Sequence, residues 1–115
     1  MAVYGYARVS TEGQSLSAQL AQLSAARCKQ IFREKISGAR FDRKQLARLV
    51  NSLTKGDVVI VTRLDRLARS TRDLLNLLAS IADKRARVKS LGDVWADTTT
   101  AYGRLMLTVL GGLAE

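Results

Sequence analysis

Apolar positions along the chain fall into short runs separated by stretches at helical spacing. Val3–Val9 is such a run, with Tyr and Val, and predicts a first strand ending at Ser10. Leu16, Leu20, Leu23 and Ala26 then recur at helix spacing, with Ser15 placed as N-cap. Gln30–Arg33 predicts a brief second strand, and Glu34–Phe41, with Ser37 and Gly38, a loop. Asp42 is expected to cap a helix bearing Leu46, Leu49, Val50 and Leu53, ended by Lys55-Gly56. Val58–Val61 is four consecutive apolar residues, which suits a parallel strand covered on both faces. A helix from about Thr71 to Lys84 carries Leu74, Leu75, Leu78 and Ile81. Val88–Leu91 predicts a fourth strand, Val94–Ala96 a short edge strand, and the tail from Thr100 a further helix. This alternation predicts a single α/β domain: a mostly parallel four- to five-stranded sheet with helices on both faces.

One polar detail does not fit a strand that only builds a core. The first run reads YARVSTEGQ over Tyr6–Gln14, delivering Arg8 and Ser10 at its carboxyl end. The third strand delivers Arg63, Asp65, Arg66 and Arg69 just past its own end. Open parallel sheets bind ligands at the carboxyl ends of their strands. If these two strands are neighbours, a hydroxyl faces a cluster of guanidinium groups. Planar Arg groups bind phosphate bidentately and stabilise the charge of a transferring phosphoryl group. Ser10 beside them could attack a phosphodiester, its proton passing to Asp65, to solvent or along a substrate-assisted path. The plainer reading stands beside this one: Asp65 and Arg69 as an i,i+4 pair, Ser10–Thr11 as a turn cap, and the arginines as simple anion binders.

Composition narrows the chemistry. The 115 residues contain no histidine, which excludes a Ser–His–Asp triad, a Cys–His pair and Cys/His zinc sites. Cys28 is the only cysteine, so no intrachain disulfide forms, and its helical setting reads as a small buried hydrophobe. Neither phosphate-loop glycine motif, G-x-x-x-x-G-K-[ST] nor G-x-G-x-x-G, is present. The net charge of +9 is the footprint of a protein that meets nucleic acid, although a solvated basic surface produces it too. No apolar run reaches the roughly 18 residues of a membrane span, and no signal peptide is apparent. A cytoplasmic protein is expected, associated with the nucleoid when bound to DNA.

Taken together, these residues resemble the resolvase/invertase family of serine site-specific DNA recombinases. YARVSTEGQ at Tyr6–Gln14 looks like that family's nucleophile signature, and GDVVIVTRLDRLAR at Gly56–Arg69 like its second signature. SGARFDRKQ at Ser37–Gln45 and GRLMLTVLGGLAE at Gly103–Glu115 fit as well, so the similarity runs along the whole chain. The resemblance implies a resolvase-like, flavodoxin-like fold in which Ser10 attacks the scissile phosphate, leaves a 5′-phosphoserine and frees a 3′-hydroxyl. It further implies that Arg8, Arg66 and Arg69 hold the phosphate and that Arg43 also reaches this site. Tyr6, Gln14, Gln19 and Asp65 match positions that support the pocket, Asp65 either orienting Arg69 or handling a proton. Arg63 is expected to contact the phosphate backbone. The family uses neither metal nor cofactor, because the phosphoserine conserves the energy of the phosphodiester.

Leu105, Met106, Leu107, Val109, Leu110 and Leu113 make the last helix apolar on nearly all sides, as in a core or against a partner. Gly111-Gly112 weakens that helix by about 1 kcal/mol per glycine and allows another backbone to approach closely. The resemblance favours an interface, since the family begins its dimer and synaptic-tetramer helix here. The expected division is a catalytic domain over residues 1–99 and the start of the oligomerisation helix over 100–115. On the family pattern, Glu115 falls inside that helix, ahead of a further active-site arginine and a helix-turn-helix module. Recombination and sequence-specific DNA binding are therefore expected to need more than this segment. The competing reading is a non-catalytic module using the arginine cluster for nucleic-acid binding and the last helix for assembly. A third, a small-anion or nucleotide-binding flavodoxin-like domain, lacks a glycine-rich phosphate loop. The W-A-D-T-T-T segment at Trp95–Thr100 and the ending look most like small resolvases and invertases, as does the absence of a domain before Tyr6.

Overall fold

The first apolar run forms the central strand of a parallel sheet. In a computed structural model of the chain, residues 2–10, 16–36, 44–68 and 71–93, with Leu105 and Val109, are described. Strand β1 spans Val3–Ser10 and is followed by helix α1, Leu16–Ala25, and strand β2, Gln30–Ile36. Helix α2, Lys44–Ser52, leads to strand β3, Val58–Val61. A single turn, α3, Leu64–Leu67, then precedes helix α4, Thr71–Asp83, and strand β4, Arg87–Ser90. All pairings are parallel, in the order β2-β1-β3-β4. This is the doubly wound arrangement in which the strand order reverses at β1.

Period-2 alternation splits the core in two. Tyr4 and Tyr6 of β1, Phe32 of β2, Val59 and Val61 of β3, and Val88 of β4 face one side. There Leu46 and Leu49 of α2, Leu67 of α3, and Leu74 and Ile81 of α4 cover them. Val3, Ala7, Ile31, Val58 and Ile60 face the other side, covered by Leu20 and Leu23 of α1. Helices therefore pack on both faces. Close packing shows at Gly5, where an added Cβ would lie 3.0 Å from Cys28 Sγ. Burial pushes the Cys28 thiol pKa up, which suits an inert packing role.

Several expected boundaries move. Strand β2 runs to Ile36, so Glu34 lies in a strand and not in a loop. Ser10 is the last residue of β1, as expected, and pairs with Ile36. Helix α2 ends at Ser52; Gly56, at φ +88°, shapes the later turn into β3, and its N–H donates to Arg85 O at 2.9 Å. Helices α1 and α4 both close through an arginine in the left-handed region, Arg27 at φ 63° and Arg85 at φ 58°. In each, the next residue's N–H reaches back five positions, from Cys28 to Leu23 O and from Ala86 to Ile81 O. Both turns feed a strand directly. The expected caps Ser15 and Asp42 and the edge strand Val94–Ala96 lie outside the described residues, as does most of the tail; Leu105 and Val109 within it are helical.

Where α2 meets β3, Asp57 is buried and holds three donors. Ala2 N–H reaches Oδ1 at 2.9 Å, while Thr54 N–H and Oγ1 reach Oδ2 at 2.8 and 3.1 Å. Burial alone would raise its pKa, but the bonds from Thr54 and Ala2 outweigh this and hold it below the ordinary carboxylate value.

Candidate active site

The carboxyl ends of β1 and β3 lie side by side, because β1 pairs directly with β3 through Tyr6 and Val61. From there β1 continues through Arg8 to Ser10, while β3 passes through Thr62 and Arg63 into α3. Asp65 and Arg66 occupy the second and third positions of that turn. The backbone thus brings Arg8 and Ser10 to the same end of the sheet as Asp65 and Arg66. Arg63 is exposed, with extended backbone at φ −153° and ψ 152°. Gln14, Arg43 and Arg69 lie outside the described residues, although Arg43 immediately precedes α2.

Arg8 is held by its backbone. The register of β1 with β3 stops at Tyr6, so the peptide groups of Arg8 need other partners on reaching the site. Gln19 of α1 supplies them: its Oε1 accepts Arg8 N–H at 3.2 Å, and its Nε2 donates to Arg8 O at 3.0 Å. A side-chain amide carries one acceptor and two donors, so Gln19 meets both groups of one peptide residue. The Arg8 side chain is half-buried, and its Nη1 is shielded from solvent.

Tyr6 is fully buried, and its hydroxyl donates to Glu34 Oε1 at 2.8 Å. Glu34 pairs with Arg8 across the β1–β2 ladder and is itself buried. Its second oxygen, Oε2, accepts the N–H of Gln45 at 2.9 Å, in the first turn of α2. A carboxylate there satisfies a helix N–H that has no intrahelical partner and sits favourably at the positive end of the helix dipole. One acidic side chain therefore ties β1 to the start of the helix that follows Arg43. Glu34 falls in the stretch expected as a loop, yet on β2 it alternates with exposed Arg33 and faces inward beside Phe32.

The turn bearing Asp65 and Arg66 is held from the end of β4. Leu64 N–H donates to Asp93 Oδ2 at 2.8 Å, and Ser90 Oγ donates to the same oxygen at 2.9 Å. Neither Ser90 nor Asp93 stood out from the sequence: Asp93 bonds to Leu64, 29 residues away, and Ser90 acts through Asp93. Among the described residues no group of acidic, cysteine or histidine side chains could hold a metal ion, and no helix is long and apolar enough to cross a membrane.

Comparisons with known proteins identify the family to which this fold belongs. Residues 3–115 match the family model "Resolvase, N terminal domain". A resolvase of Clostridium perfringens is 47% identical over 115 residues, covering 96% of this chain and 61% of the relative. Serine recombinase gin of Escherichia phage Mu is 42% identical over 111 residues, covering 96% of this chain and 57% of the relative. The chain thus spans about three-fifths of the length of such curated relatives. Among solved structures, the N-terminal catalytic domain of TP901-1 integrase superposes with a TM-score of 0.86 at 32% identity, covering 99% of this chain and 94% of that one. With the family model spanning nearly every residue and relatives this similar, the chain belongs to the resolvase/invertase family of serine recombinases.

Proposed function

We propose that this chain is the catalytic domain of a DNA resolvase or invertase that cuts and rejoins DNA through Ser10 for site-specific recombination. The observation that carries this reading is the β1–β3 pairing, which sets the strand end with Arg8 and Ser10 beside the turn with Asp65 and Arg66. In the proposed reaction Ser10 Oγ bonds to the scissile phosphorus as the bond to the 3′-oxygen breaks. The serine proton leaves to Asp65 or solvent, and the departing oxygen is protonated to a 3′-hydroxyl. Religation reverses these steps with a new 3′-hydroxyl, so no external energy source is needed.

Arg8, Arg43, Arg66 and Arg69 take the phosphate roles, where several guanidinium groups stabilise the charge of the transferring phosphoryl group. Arg63, exposed beside α3, contacts the DNA backbone. Gln14 and Asp65 support the pocket with Tyr6 and Gln19. Residues 1–99 form the catalytic unit, and the helix from about Thr100 builds a homodimer and, on synapsis, a tetramer. Leu105 and Val109, four residues apart on that helix, are 60% and 48% exposed, an unusual setting for large apolar side chains and one that suits a partner. The site of action is the cytoplasm, on the nucleoid. The test is a nicked suicide substrate carrying the crossover site, offered to the protein at its natural length. A covalent protein–DNA adduct is expected from the unsubstituted protein and none from Ser10→Ala; an adduct that persists in Ser10→Ala removes the nucleophile assignment.

A further inference from the structure

Helix α3 is a single turn of four residues, Leu64–Leu67. Such a turn sits at the costly nucleation stage of helix formation, with little propagation to stabilise it. Its own N-cap residue, Arg63, makes no side-chain capping bond. The acceptor arrives instead from 29 residues along the chain, as Leu64 N–H donates to Asp93 Oδ2 at 2.8 Å. Ser90 holds that carboxylate in place: Ser90 Oγ donates to Oδ2 at 2.9 Å and accepts Asp93 N–H at 3.3 Å. Ser90 is 1% exposed, so its end of the contact is shielded from competing water.

The backbone extends the same connection. Leu91 N–H donates to Val61 O at 2.9 Å, and Gly92 N–H to Thr62 O at 2.7 Å. Three successive residues after β4 are thus laced to the segment running from β3 into α3. Gly92 permits this approach, since a Cβ there would lie 2.8 Å from Thr62 O.

We infer that Asp93, steadied by Ser90, is a positioning residue for the proposed phosphoryl transfer: it fixes the start of α3, and with it the stations of Asp65 and Arg66 beside the end of β1. This rests on the recombinase reading above. A shift of about 1 Å in a catalytic group can lower a rate about 100-fold, so the start of a one-turn helix is a sensitive place. A role confined to holding the fold together would instead lower stability and leave the rate per folded molecule unchanged.

The experiment measures first-order adduct formation at saturating suicide substrate, the half-saturating DNA concentration and thermal stability, for the protein at natural length. Asp93→Ala removes the acceptor; Asp93→Asn keeps a side-chain carbonyl that can take both donors. Asp93→Ala is expected to slow adduct formation about 10- to 100-fold with unchanged half-saturation, and Asp93→Asn to return the rate to within a few-fold of the original. Ser90→Ala, a milder change, is expected to slow the step several-fold and decides the matter if Asp93→Ala does not fold. A folded Asp93→Ala with an unaltered rate overturns the inference, as does an Asp93→Asn as slow as Asp93→Ala. So does an unaltered rate in Ser90→Ala where Asp93→Ala does not fold. If instead the unsubstituted protein forms no adduct, or Ser10→Ala still forms one, the recombinase reading itself fails and the inference falls with it.

Discussion

The hydroxyl of Tyr6 and the carboxylate of Glu34 meet at 2.8 Å inside the sheet, 28 residues apart in the chain. Tyr6→Phe keeps the ring and leaves Glu34 Oε1 without that donor. Stranding a buried polar group costs about 1–3 kcal/mol. Thermal unfolding should therefore fall by several degrees, at about 4 °C per kcal/mol for a domain of this size. Glu34→Ala should fall further, since it also strands the N–H of Gln45. An unchanged midpoint in Tyr6→Phe would show that the bond contributes nothing.

Gln19 bonds both peptide groups of Arg8, so Gln19→Leu should loosen the end of β1 without emptying space in the core. Amide hydrogen exchange provides the check. The Arg8 amide should exchange at least about tenfold faster than in the unsubstituted protein, the effect of losing about 1.4 kcal/mol of local protection. Equal protection in both proteins would remove Gln19 from this role.

Arg27 and Arg85 occupy the left-handed positions that close α1 and α4. A side chain there carries a steric penalty of about 1–2 kcal/mol that glycine avoids, although glycine gains freedom in the unfolded chain. Arg27→Gly and Arg85→Gly should each stabilise the domain by about 0.5–1 kcal/mol in urea unfolding. Destabilisation by either would mean that the arginine side chain contributes more than its backbone strain removes.

Asp57 has a pKa below the ordinary value in the folded protein. A lowered folded pKa means that its stabilisation is fully present above the unfolded carboxylate pKa of about 4 and is lost as pH falls through the folded value. Asp57→Asn should therefore be less stable near neutral pH, with the gap to the unsubstituted protein closing below about pH 4. Urea unfolding at a series of pH values measures this directly. A gap that stays constant into acid would mean that the charge of Asp57 is not what matters.

Much of the architecture was legible because it follows local rules. Val58–Val61 announces a strand buried on both faces, and it is one, with the predicted ends. Leu46 and Leu49, or Leu74 and Ile81, mark the buried stripes of their helices. What escaped were contacts between distant segments. Glu34 bonds to Tyr6 and Gln45, and Asp93 to Leu64, across separations of 11 to 29 residues that no periodicity encodes. The ends of α1 and α4 were blurred for a different reason: arginine stands where glycine usually marks a helix stop. At the candidate site the resemblance pointed to Tyr6 and Gln19 as supports, whereas Glu34, Ser90 and Asp93, which bond around them, carried no such signal.

Pairing of β1 with β3 also divides labour along the polypeptide. Everything proposed for the nucleophile side, Arg8, Ser10 and Gln19, precedes the exposed turn at Lys55, and Asp65, Arg66 and Arg69 all follow it. A single cut in that turn would leave Ser10, Arg8 and Arg43 on one fragment and Asp65, Arg66 and Arg69 on the other, joined by the ladder from Val3 to Tyr6, the bonds of Asp57 to Ala2 and Thr54, and the shared core. The proposed reaction centre is a seam: neither fragment could cut DNA alone, and reassembly of the two would have to restore cleavage.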